Sequence, residues 1–115
     1  MFNTHLQHND ANERLEQVRA IQPLVVQREE PVVLTGDLNA RPDAPEIHAL
    51  SETLTDTWTR AGTGDGYTHP ATGPTARIDY VFTSAGVQAK VAAVGTSDAS
   101  DHLPLFVDLL VGRRG

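Results

Sequence analysis

The chain has no cysteine, so disulfides and thiolate–metal centres are excluded. It has no run of 18 or more apolar residues, so no bilayer-spanning helix is expected. Aromatic residues make up only 5% of it, and cations are scarce: nine Lys and Arg stand against fifteen Asp and Glu, a net charge of -6. Nucleic-acid affinity comes largely from phosphate neutralisation by cations, so non-specific duplex binding is disfavoured. The same acidity suits a surface that collects metal ions. Met1-Phe2-Asn3-Thr4-His5 lacks a basic region followed by an apolar run, so no signal peptide is expected and the location is cytoplasmic by default.

What is present suits a folded chain. The 115 residues, 39% of them hydrophobic, fit one domain over 1–115 with a genuine core. No repeat or low-complexity segment occurs, and Gly62 to Thr75 reads as a long loop. Phe2 to Leu6 reads as a strand. Asp10 and Glu13 form a capping box before a helix reaching about Gln27, with Leu15, Val18, Ile21 and Val25 on one face and Pro23 unsettling its last turns. Pro31 to Thr35 is a buried strand, and Asp43 with Glu46 repeats the capping signal before Ile47, Leu50 and Leu54. Ile78 to Phe82 is a strand. Val87 to Val94 is another, with Val87, Ala89, Val91 and Ala93 on one face. A last strand alternates through Leu103, Leu105, Val107, Leu109 and Val111. Strands interleaved with helices predict an α/β fold.

Polar residues gather where strands end. Gly36-Asp37-Leu38-Asn39 follows a buried strand, at the rim where α/β sheets bind ligands. Asp37 and Asn39 offer hard oxygens for magnesium (Mg2+), manganese (Mn2+) or calcium (Ca2+). An Asx-turn or helix cap needs the same residues. Asp79 interrupts an apolar strand, so it either holds a histidine or lies on a solvent face. In Ser100-Asp101-His102, neighbours on an extended chain face opposite ways, leaving Asp101 for metal and His102 for Asp79. The alternative is a loop with a hydrogen-bonded imidazole. His5 on the first strand is a second candidate imidazole, or a structural one. His8 and His48 are assigned to surface, and His69 falls in the Thr/Gly/Pro loop and is not counted among the site residues.

Asn3-Thr4-His5-Leu6, Gly36-Asp37-Leu38-Asn39, Arg77-Ile78-Asp79-Tyr80-Val81 and Ser100-Asp101-His102-Leu103-Pro104, in this order, resemble the endonuclease/exonuclease/phosphatase superfamily. The resemblance implies a four-layered α/β sandwich, here a partial one: mostly one sheet plus flanking helices. It implies phosphodiester or phosphomonoester hydrolysis with a divalent ion, usually magnesium. Asp37 would orient or activate water, and Asn39 would bind metal or phosphate. Asp79 would pair with His102, His102 would hold the scissile phosphate, Asp101 would be a metal ligand, and His5 would contact the phosphate. The substrate would be a nucleic acid, a phospholipid or a phosphorylated small molecule.

Three departures qualify this. Family domains are roughly twice as long, and their first half carries a metal-binding glutamate. No glutamate here stands in that strand context: Glu13, Glu16, Glu46 and Glu52 fall on helices, and Glu29 and Glu30 precede a strand. Gln7 replaces the Asp that many relatives have. An N-terminally truncated domain is therefore expected, impaired in activity or reduced to a metal- or phosphate-binding remnant. Its uncovered sheet face would favour a homodimer.

Overall fold

In the computed structural model, which describes residues 2–5, 11–26, 31–84, 86–96 and 100–111, the apolar run after Pro31 becomes a central strand of a four-stranded sheet. β1 (Phe2–His5) lies parallel to β2 (Val33–Asp37), and β2 lies antiparallel to β4 (Asp79–Thr83). The short β3 (Thr55–Asp56) covers the far side of β4, giving the order β1-β2-β4-β3. β5 (Val87–Val94) and β6 (Leu105–Val111) pair antiparallel in a separate two-stranded sheet. The helices α1 (Ala11–Val26), α2 (Pro45–Ser51) and α3 (Thr57–Ala61) complete an α/β chain.

The core forms where α1 and α2 meet the β2–β4 sheet. Val18 of α1, Ile47 and Leu50 of α2, Leu34 of β2, and Tyr80 and Phe82 of β4 are all buried in one cluster. Alternation puts Leu34, Tyr80 and Phe82 inward, and each such side chain contributes about 1.5–3 kcal/mol by leaving water. The Tyr80 hydroxyl sits between the Ala40 carbonyl, at 2.7 Å, and the Arg77 carbonyl, at 3.0 Å. Burial raises its pKa well above the usual phenol range. This ring ties the chain leaving β2 to the chain entering β4.

A buried ion pair fixes that entry further. Arg77 Nη1 lies 2.8 Å from Asp56 Oδ2, in contact but off hydrogen-bond geometry, and both side chains are almost fully enclosed. Asp56 Oδ1 also accepts from the Trp58 amide at 3.1 Å, capping α3. The Trp58 ring packs so closely on the following loop that a Cβ at Gly62 or Gly66 would overlap it, which accounts for glycine at both positions.

Several expectations are corrected. β2 runs on to Asp37, so Gly36 and Asp37 lie within the ladder rather than after it, and Asp79 begins its strand rather than interrupting it. The Asp43–Glu46 cap does not form. Ala44 is the N-cap with no side-chain bond, Pro45 starts the helix, and Glu46 turns inward to Arg14 Nε at 2.9 Å. The face of β5 also switches. Val87 is buried, but after a register shift between Ala89 and Val91 the buried residue is Ala92, and Val91 is exposed. One extra residue in a ladder reverses the facing of all that follow it. Helix α1 continues through Pro23, and β3 and α3 had no expectation. The Asp10 cap, the Val25 side chain and His8 lie outside the described residues. No helix among the described residues is long and apolar enough to cross a membrane.

Replacing Arg77 with alanine leaves the Asp56 carboxylate buried and unpaired. The Arg77→Ala chain is expected to lose about 3–5 kcal/mol in urea unfolding. A loss under about 1 kcal/mol would show that the pair does not hold the β4 entry.

Candidate active site

Two carboxylates face each other across the central ladder. Asp37 of β2 and Asp79 of β4 are register partners. Like charges placed opposite in a sheet repel, so the pair needs a cationic or proton-donating group between them. His102 supplies it. Its Nδ1 lies 2.7 Å from Asp79 Oδ2, and its Nε2 lies 3.4 Å from Asp37 Oδ2. All three side chains are about one-fifth to one-quarter exposed, on the rim of the sheet.

Local sequence explains each placement. Gly36, at φ 151°, takes a backbone angle that side chains resist, directly before Asp37. The Asn39 amide donates to Asp37 Oδ1 at 2.9 Å, and Asn39 takes φ 50°, which asparagine tolerates better than most residues. The Asx-turn reading of this segment is therefore present alongside the carboxylate's place in the cluster. The Leu38 amide donates to the Ile78 carbonyl at 2.9 Å, extending the ladder past Asp37.

The Asp101–His102 segment bends, contrary to the expected extended form. The His102 amide donates to the Ser100 hydroxyl at 3.1 Å. The bend brings Asp101 round to the same side, with Oδ1 4.0 Å from His102 Nε2. Burial alone would lower the His102 pKa. The hydrogen bond and charge of Asp79, with the charges of Asp37 and Asp101, outweigh it and raise the pKa above the ordinary 6.5.

His69 also belongs to this cluster. Its ring centroid is 4.7 Å from that of His102, and its Nε2 is 3.7 Å from Asp101 Oδ2. Sequence reasoning gave it little weight because it sits in the long Gly/Pro loop, ten residues before Asp79 in the chain. No signal in the sequence marked it, because its neighbours come from distant parts of the chain. Thr68 is completely buried, and its carbonyl accepts from the Leu103 amide at 2.7 Å. Backbone register places His5 of β1 beside Asp37, and the His5 side chain lies outside the described residues.

Two overlapping groups have donor atoms within 4.8 Å of one another: Asp37, Asp79 and His102, and His69, Asp101 and His102. Asn39 joins neither, and no glutamate does so among the described residues. A cleft of about 360 Å3 runs beside the first group along Thr35, Tyr80 and Leu105. A larger cleft, about 860 Å3, opens between the sheets, but among the described residues Arg60 is the only charged one lining it. The chemistry therefore points to the smaller cleft.

The family model described as the Endonuclease/Exonuclease/phosphatase family matches residues 2–102. A conserved protein of unknown function from Enterococcus faecalis V583 superposes with TM-score 0.84 at 26% identity, over 95% of this chain and 48% of that one. An endonuclease/exonuclease/phosphatase family protein from Bacteroides thetaiotaomicron gives TM-score 0.82 at 25% identity, over 97% and 49%. The mannosyl-6-phosphatase of Bacteroides thetaiotaomicron VPI-5482 shares the fold, with TM-score 0.76 at 24% identity over 94% and 49%. No curated protein matches the chain. The chain spans about half the length of these solved structures. The match to the family runs through all four strand-end motifs as far as His102, on a fold shared with these structures, and the chain belongs to the endonuclease/exonuclease/phosphatase family.

Proposed function

We propose that this chain carries part of the catalytic centre of a divalent-metal-dependent phosphoester hydrolase. The observation that carries the reading is the single imidazole bridging two register-paired carboxylates, with Asp79 on one ring nitrogen and Asp37 near the other. An arrangement of this kind fixes a tautomer and a direction, which a hydrogen-bonded loop histidine does not require.

The donor set fits a hard cation. Asp37 and Asp101, each within 4.0 Å of His102 Nε2 but in separate donor groups, are the carboxylates that would supply oxygens to Mg2+, with Mn2+ or Ca2+ as substitutes. When bound, such an ion would neutralise charge on the phosphate oxygens and acidify a bound water. Asp37 orients the attacking water. Asp79 holds the imidazole by Nδ1, so that Nε2 faces the substrate. The protonated ring donates from Nε2 to a phosphoryl oxygen as charge grows there. Asn39, fixed by its turn to Asp37, and His5, beside Asp37 in the sheet, are the further phosphate or metal contacts. The substrate is a nucleic acid, a phospholipid or a phosphorylated small molecule, and the net charge of -6 tilts against duplex DNA. The lack of a glutamate in either cluster among the described residues favours reduced activity, or a metal- or phosphate-binding remnant. A homodimer would cover the exposed Val91, Phe106 and Leu110 of β5 and β6.

Magnesium-dependent cleavage of a generic phosphodiester is expected to fall by about 10²–10⁴-fold in His102→Ala. Cleavage that survives this change defeats the assignment. Calorimetry on Asp37→Ala is expected to lose magnesium binding. If neither chain cleaves but the parent binds magnesium, the remnant reading stands.

The His102 pKa gives a second check on the metal-free chain. Its imidazole proton resonances should titrate above 6.5, and Asp79→Asn should move the midpoint down. The folded pKa is the raised one. The group's stabilisation is therefore complete below its unfolded value and is lost as pH rises through the folded value. A midpoint unmoved by Asp79→Asn contradicts the coupling.

A further inference from the structure

The rim carries a second group of donors, His69, Asp101 and His102, of which the proposed reaction uses Asp101 and His102 but not His69. We propose that these three residues form a site for a borderline transition ion of the zinc class, which differs from the magnesium position in its two imidazole donors and shares Asp101 with it. Two imidazole nitrogens and one carboxylate are the donors such ions prefer, whereas magnesium favours oxygen throughout.

The geometry is close to what an ion needs. With metal–ligand bonds of about 2.0–2.2 Å in a tetrahedron, neighbouring donors stand about 3.4 Å apart. His69 Nε2 is 3.7 Å from Asp101 Oδ2, and His102 Nε2 is 4.0 Å from Asp101 Oδ1. All the donor atoms lie within 4.8 Å. Asp101 is the residue that must move inward. Its side chain is 77% exposed, so the adjustment meets little resistance.

Two further observations separate this from a chance meeting of polar side chains. Asp79 holds Nδ1 of His102 at 2.7 Å, which directs Nε2 toward the group. A carboxylate behind a histidine is the outer partner that orients metal-ligating imidazoles and raises their basicity. The two chain segments are also tied together without any ion. The Leu103 amide donates to the Thr68 carbonyl, and the Ala71 amide to the Asp101 carbonyl, both at 2.7 Å. The His69 amide and carbonyl pair with Ala76 at 3.1 and 3.0 Å. Hydrogen bonds therefore flank His69 on both sides and hold it against Asp101 and His102. Three protein ligands leave one position of a tetrahedron for water.

Occupancy has a consequence for the proposed reaction, and that part alone rests on the hydrolase reading. An ion on His102 Nε2 would displace the N–H proton that the phosphate contact requires, so zinc would oppose the magnesium-dependent activity.

The test titrates the whole 115-residue chain with Co2+, followed by visible absorption, and with Zn2+ against a chromophoric chelator. One ion per chain is expected, with the intense visible bands of tetrahedral cobalt. His69→Gln and Asp101→Asn should each weaken binding by at least about tenfold. His48→Gln, on an exposed turn of α2, should leave it unchanged. Asp101 is exposed enough that its variant keeps the fold if His69→Gln does not. Zinc affinity weaker than about millimolar, or unaltered by both site variants, overturns the proposal. Zinc binding that depends on His69 in a chain without magnesium-dependent cleavage supports this site and counts only against the hydrolase reading. Cleavage with no zinc binding does the reverse.

Discussion

The rim depends on the opposition of Asp37 and Asp79 across one rung of the central ladder. A sheet that pairs two carboxylates in register sets up a repulsion that only a third group can relieve. At about 4 Å and an effective dielectric near 20, two such charges oppose each other by about 4 kcal/mol. His102 arrives from the far end of the sequence and touches both. The bend at Ser100, the Asx-turn at Asn39 and the buried Arg77–Asp56 pair are the local arrangements that bring the three segments together.

The parts of the site legible in the sequence were those carried by strand ends. Gly36-Asp37, Asp79 and Asp101-His102 were readable because a polar residue beside a buried apolar run has few places to go in an α/β fold. The pairing of Asp79 with His102 was one of two readings that the cost of an unpaired carboxylate left open, the other being a solvent face. The hydrophobic periodicity of α1 and of β6 was likewise sound, since Val18 is buried and Phe106 and Leu110 face outward.

What was not legible depends on events that one residue decides. The bulge between Ala89 and Val91 reverses the facing of the rest of β5, and no residue there announces it. Asp43 offered a cap, but Pro45 set the helix start two residues on. Glu46 was then free to pair with Arg14, a partner 32 positions away that local rules do not address. His69 was hidden for a similar reason. A loop's partners are set by the backbone that it meets, here Ala76 and, through the Thr68 carbonyl, Leu103, and not by its own composition.

The balance of charge at the rim bears on why a cation belongs there at all. Asp37, Asp79 and Asp101 converge on His102, so even a protonated imidazole leaves the cluster negative. On the proposed reading the substrate is a phosphate ester, itself an anion, and this surface would repel it. The raised pKa of His102 works in the right direction, but one proton cannot reverse three carboxylates. On that reading a divalent ion would add two positive charges beside the carboxylates, bringing the cluster with its protonated imidazole to about neutral, so that a phosphate would no longer be repelled. The acidic residues that make the rim look hostile to a phosphoester are then what allows it to hold one.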